Sequence, residues 1–142
     1  MAVNLASAPI RSYRDLRVWQ AAMDLVVASY SLTRDMPAAE RYGLVVQTQR
    51  SAVSVAANIA EGHGREHLGE YIHHLSIANG SLMELETEIQ IGVRLGYVAS
   101  DASEPVLSAA ASVGRMLAGL TAKLKARGRR LRSPDTGHLT PE

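Results

Sequence analysis

A chain of 142 residues, 46% of them hydrophobic, is long enough for one domain with its own core and short for two. It has no cysteine, which excludes a disulfide framework, a thiolate nucleophile and a thiol metal site, and permits a reducing compartment. With 15 Lys+Arg against 14 Asp+Glu the formal net charge is +1, so affinity for nucleic acid would have to come from a local patch.

The start, MAVNLASAPIRSYRD, lacks the basic segment and apolar run of a signal peptide, and no window approaches the roughly 18 uncharged apolar residues of a membrane span. The expectation is a soluble, cytoplasmic protein. Residues 1–12 combine small side chains with Pro9 and show no period, which predicts a loose arm.

From Leu16 the pattern changes. Leu16, Trp19, Met23, Val26, Tyr30 and Thr33 step by threes and fours, which predicts a first helix over 14–34 with these residues on its packed seam. Asp15 and Arg34 suit the two ends of its dipole, and Pro37 interrupts the chain.

A short helical turn over 38–41 and a second helix over 44–62 follow. Val45, Ala52, Ala56 and Ile59 share an apolar edge, while Gln47, Arg50, Ser54, Asn58 and Glu61 share a polar one. Gly62 and Gly64 are expected to close this helix in the left-handed conformation. Over 67–95, Tyr71, Leu75, Ala78, Leu82, Leu85 and Ile89 give the cleanest period in the chain. Gly80 within it is expected to admit a bulky neighbour such as Trp19, and Gly96 with Tyr97 to end it. Asp101 and Glu104 read as an acidic capping box with Pro105 in the first turn. The fourth helix carries Val106, Ala110, Val113, Leu117, Leu120 and Leu124, and is expected to stop at Gly128. The last stretch, 128–142, reads as a disordered basic tail. Four periodic helices on short connections predict an all-α, antiparallel up-down-up-down four-helix bundle over 13–127. Alanine at several seam positions brings helices close and buries little area per residue, which makes oligomerisation attractive.

Three readings compete for the edge Gln47, Arg50, Ser54, Asn58 and Glu61: a solvated face, a subunit contact or internal polar network, and a catalytic edge. Its short hydrogen-bonding groups differ from the Lys and Glu of an ordinary solvent face. His63, His67, His73 and His74 do not form a metal-ligand pattern, because His63 sits in the glycine turn and no HExxH spacing occurs. Neither Ser54 nor Ser76 has a triad pattern, Glu84, Glu86 and Glu88 cannot share one face and mostly point to water, and Gly62-x-Gly64 lacks the context of a phosphate loop. No cofactor, metal or catalytic residue is expected. Lys123, Lys125, Arg127, Arg129, Arg130 and Arg132 form a cation run without an acid. It is either a solubilising tail or, chiefly through Arg127, Arg129, Arg130 and Arg132, a salt-dependent contact to RNA or DNA.

The motifs DLRVW (Asp15 to Trp19), NIAEG (Asn58 to Gly62) and LSIANGSLMELE (Leu75 to Glu86) resemble the bacterial four-helix-bundle family named after intervening sequences in the large-subunit ribosomal RNA gene, over about residues 13–125. The resemblance implies a left-handed up-down bundle assembling with itself into a ring, with pentamers seen in the family, and no established reaction. It implies a related group as well, the accessory proteins of diversity-generating retroelements, which form the same barrel and bind nucleic acid through a markedly basic surface. The near-neutral charge here departs from that group.

Overall fold

The computed structural model describes residues 9–132, and the expectations for 1–8 and 133–142 lie outside the described residues. Four helices form: α1 (Arg17–Thr33), α2 (Leu44–His63), α3 (Leu68–Arg94) and α4 (Ser100–Arg132), with 3₁₀ turns at Tyr13–Asp15 and Ala38–Glu40. The helices pack in a cycle, α1 on α2, α2 on α3, α3 on α4 and α4 on α1. With connections of ten residues or fewer this is the antiparallel four-helix bundle that the periodicity predicts.

The stripes of α3 and α4 are as expected: Leu75, Ala78, Leu82, Leu85 and Ile89 meet Val106, Ala110, Val113, Leu117 and Leu124 in the core. The seam of α1 is not. Val18, Ala22, Leu25, Ser29 and Leu32 are buried, whereas Met23 and Tyr30 remain 40% and 39% exposed and Trp19 and Val26 half-buried. The true stripe lies one residue, roughly 100°, from the expected one. Both stripes have the same 3–4 spacing, and burial selects the one in which Ala22 and Ser29 let α1 approach its neighbours.

Helix ends depart from expectation in a related way. Gly96, with φ 76°, is the one described glycine at positive φ, and it closes α3 with Tyr97 N–H donating to the Gly92 carbonyl at 2.9 Å. Gly62 lies inside α2 and Gly64 caps it in the right-handed region. A Cβ at Gly62 would sit 2.8 Å from His74 Cβ and 3.2 Å from the Tyr71 carbonyl, so this glycine serves the contact between α2 and α3. Gly80 faces open space and admits neither Trp19 nor any other neighbour; Trp19 instead meets Tyr13 edge-on at 5.2 Å. Gly128 does not end α4: a Cβ there would lie 3.0 Å from Leu68 Cδ2, and the helix runs on to Arg132. The segment 128–132, expected as disordered tail, is therefore helical. Because α4 begins at Ser100, Asp101 lies inside its first turn, and the capping box with Glu104 does not form.

At the other end of α2, the Glu40 carboxylate accepts from the Leu44 amide at 3.0 Å and from the Tyr97 hydroxyl at 3.3 Å. It thereby ties the helix start to the α3–α4 connection.

Candidate functional site: an interhelical polar ladder and a divided cationic helix

The polar edge of α2 separates into two parts. Gln47 and Arg50 are exposed, while Ser54, Asn58 and Glu61 turn toward α3 of the same chain. Asn58 Nδ2 donates to the Ser54 carbonyl at 2.9 Å and to Ser54 Oγ at 3.1 Å, which leaves Asn58 Oδ1 to face His74 Nδ1 at 3.0 Å. In that orientation His74 Nδ1 carries the proton and donates. Ser54 Oγ, already accepting, is free to donate to Ser81 Oγ at 2.7 Å. Glu61 Oε2 stands 3.7 Å from the same imidazole nitrogen. The result is a directed ladder, His74 to Asn58 to Ser54 to Ser81, whose members strengthen one another in the half-buried seam.

Deeper in the α2/α3 seam lies a group that spacing alone missed. Glu88 is 8% exposed; its Oε1 accepts from Ser51 Oγ at 2.7 Å, and its Oε2 has no partner. Burial raises its carboxyl above the usual glutamate range, against the opposing effect of the Ser51 hydrogen bond, and the nearby Glu84 charge raises it further. Glu84, by contrast, is exposed as expected. Ser29 Oγ on α1 is likewise buried without a partner. The sequence signal for Glu88 was available, since it precedes the buried Ile89 and lies three residues after the buried Leu85.

The groove holding Arg50 is lined by Tyr30, Val46, Gln49, Val53 and Ser54, and contains neither Glu61 nor a histidine. His63 packs edge-on against Tyr71 at 5.8 Å. Among the described residues no group of three or more His, Asp or Glu is placed to hold a metal ion, and no helix is long and apolar enough to cross a membrane.

The cation run takes a definite form because α4 continues through Gly128. Lys125, Arg129 and Arg132 are spaced 4 and 3 and share one face; Lys123, Arg127 and Arg130 have the same spacing, set off by two residues, about 200° around the axis. Of the residues expected to touch nucleic acid, Arg129 and Arg132 therefore stand on one side of the helix and Arg127 and Arg130 on the other. Antiparallel packing brings the start of the chain to the same end, where Arg17 and Lys123 line one groove. The net charge of +1 thus conceals a basic end. Among the described residues no Lys or Arg is ion-paired with a carboxylate, the one close approach being that of Glu61 to the His74 imidazole.

A four-helix bundle with an interhelical polar ladder and a cationic end defines the structural class. The description "23S rRNA-intervening sequence protein" matches residues 14–119, and the chain belongs to that family. The resemblance carried by DLRVW, NIAEG and LSIANGSLMELE pointed to the same family. A crystal structure of a protein of unknown function from the S23 ribosomal protein family of Bacteroides thetaiotaomicron superposes with a TM-score of 0.69 at 20% identity, covering 74% of this chain and 95% of that one. This likeness extends to the fold alone. No curated protein matches the chain.

Proposed function

We propose that the chain is a non-enzymatic homo-oligomer, a closed ring that serves as an assembly or adaptor platform, with five subunits as the family resemblance implies. The observation that carries this reading is the second apolar stripe of α1. Met23, Val27 and Tyr30, spaced 4 and 3, are 40%, 68% and 39% exposed. Beside them α2 presents Val46, Arg50 and Val53, the last 42% exposed, around a groove of about 440 Å³. A helix apolar over two adjoining stripes needs cover on both, and the bundle covers one. A second copy would cover the other, with Gln47 and Arg50 at the rim. Ser54, Asn58 and Glu61, expected as contacts of the same kind, are engaged with α3 instead, although Ser54 also lines the groove.

Size-exclusion chromatography with light scattering tests this reading. The expected result is an oligomer at micromolar concentration, and Val27→Glu with Val53→Glu is expected to dissociate it while preserving the helical signal. A monomeric parent chain refutes the proposal.

A second reading, contact with RNA or DNA through Arg127, Arg129, Arg130 and Arg132, is supported by the helical continuation of α4, which sets these cations at helical spacing. Binding of a structured RNA at low salt, weakened as salt rises, is the expected result.

A further inference from the structure

The two cationic rows of α4 do not face equivalent surroundings. Lys123 stands over the groove between α1 and α4, whose other walls are mainly apolar, among them Ile10, Leu16, Met116 and Leu120. Lys125, Arg129 and Arg132 line the other side, where α4 crosses the start of α3 at Leu68 and Gly69. This small groove adjoins a larger one of about 690 Å³, with which it shares Gly69, Ile72 and Lys125. The larger groove has an apolar floor that includes Leu75 and Leu117, and offers hydrogen-bonding side chains at His73, Ser76 and Asn79 from α3 and Thr121 from α4. No acidic side chain lines either of the two. His67 provides no side-chain cap to α3, whose first turn carries Glu70 with its amide donating to the His67 carbonyl at 3.1 Å.

We propose that the α3/α4 groove is a sugar–phosphate backbone site for a nucleic-acid duplex, with Lys125, Arg129 and Arg132 pairing with successive phosphates and Ser76, Asn79 and Thr121 hydrogen-bonding along the strand. The proposal rests on the nucleic-acid reading above and narrows it to one face of α4. Phosphate is the fitting partner because three cations on one helical row, with no carboxylate lining the grooves beside them, lead into a groove that offers His73, Ser76, Asn79 and Thr121. The groove walls contain no Phe, Tyr or Trp, and His73 is the one ring among them, so recognition is chiefly of the backbone, with little regard to sequence. The row Lys123, Arg127 and Arg130 adds to the field at this end without forming the site.

The test compares the full-length chain with two variants that each remove three positive charges. One carries Lys125→Ala, Arg129→Ala and Arg132→Ala; the other carries Lys123→Ala, Arg127→Ala and Arg130→Ala. Alanine at these exposed positions favours the helix, and circular dichroism verifies folding. Binding to a duplex RNA is measured by fluorescence anisotropy over a salt series. The first variant is expected to bind roughly tenfold or more weakly at low salt, and its salt slope to fall by about 0.9 for each lost phosphate contact. The second is expected to lose much less. Equal losses, or a larger loss from the second variant, overturn the assignment to this groove while leaving nucleic-acid binding in place. A parent chain that does not bind duplex RNA at low salt removes both readings, as does one that binds vesicles of anionic lipid but not RNA.

Discussion

Gly62→Ala isolates the contact on which the α2/α3 seam depends. In an isolated helix the change would favour folding by about 1 kcal/mol, because glycine loses more backbone entropy than alanine. Here the new methyl would sit 2.8 Å from His74 Cβ and 3.2 Å from the Tyr71 carbonyl oxygen. Ordinary contact between carbons is about 3.5–4.0 Å, and both opposing atoms are held by the α3 backbone, so no side-chain rotation relieves the clash. The helices must separate, at a cost of about 1–3 kcal/mol for overpacking. Separation also stretches the 3.0 Å bond from His74 to Asn58 and the 2.7 Å bond between Ser54 and Ser81, each worth about 1 kcal/mol. The net expectation is a loss of about 1–3 kcal/mol. Gly80→Ala is the matched control, since nothing lies within 4 Å of its added methyl and α3 is helical on both sides. It should stabilise by up to about 1 kcal/mol. Urea unfolding followed by far-UV circular dichroism, at one protein concentration for all variants, measures both. Equal midpoint shifts of the same sign for Gly62→Ala and Gly80→Ala would refute the reasoning.

Glu88 should make stability pH-dependent. With its carboxyl raised by burial, the folded chain keeps the proton at pH values where the unfolded chain has lost it, so stability falls as pH rises from the ordinary glutamate range through the raised value, and is flat above. Glu88→Gln should remove that slope, because the neutral amide does not titrate; an unchanged slope in urea titrations across pH would contradict this. Asn58→Ala should cost about 1–2 kcal/mol by severing the ladder between His74 and Ser54. If the ladder is directed as assigned, the imidazole resonances of His74 in a nitrogen-15 NMR spectrum report the proton on Nδ1 in the parent chain, and the opposite tautomer there would exclude it.

By itself the sequence determined the number of helices, their approximate bounds and the cores of α3 and α4. Each of those two helices has a single leucine-rich stripe, so periodicity has one solution. In α1 two stripes of equal spacing adjoin, and only the surfaces of neighbouring helices decide that Ala22 and Ser29 face inward while Met23 and Tyr30 do not. Local rules read glycine as a helix terminator, which holds at Gly96, where φ is positive. They misread Gly62 and Gly128, whose missing side chains make room for His74 and Leu68 on another helix. Spacing grouped Ser54, Asn58 and Glu61 correctly, but their partner His74 lies beyond a turn, so a surface edge became an internal ladder only on packing. The cations at the end of the chain could be counted in the sequence. Their division into one row beside α3 and another on the opposite side of α4 required the helix to continue past Gly128, because only a fixed rotation per residue gives a run of charges two faces.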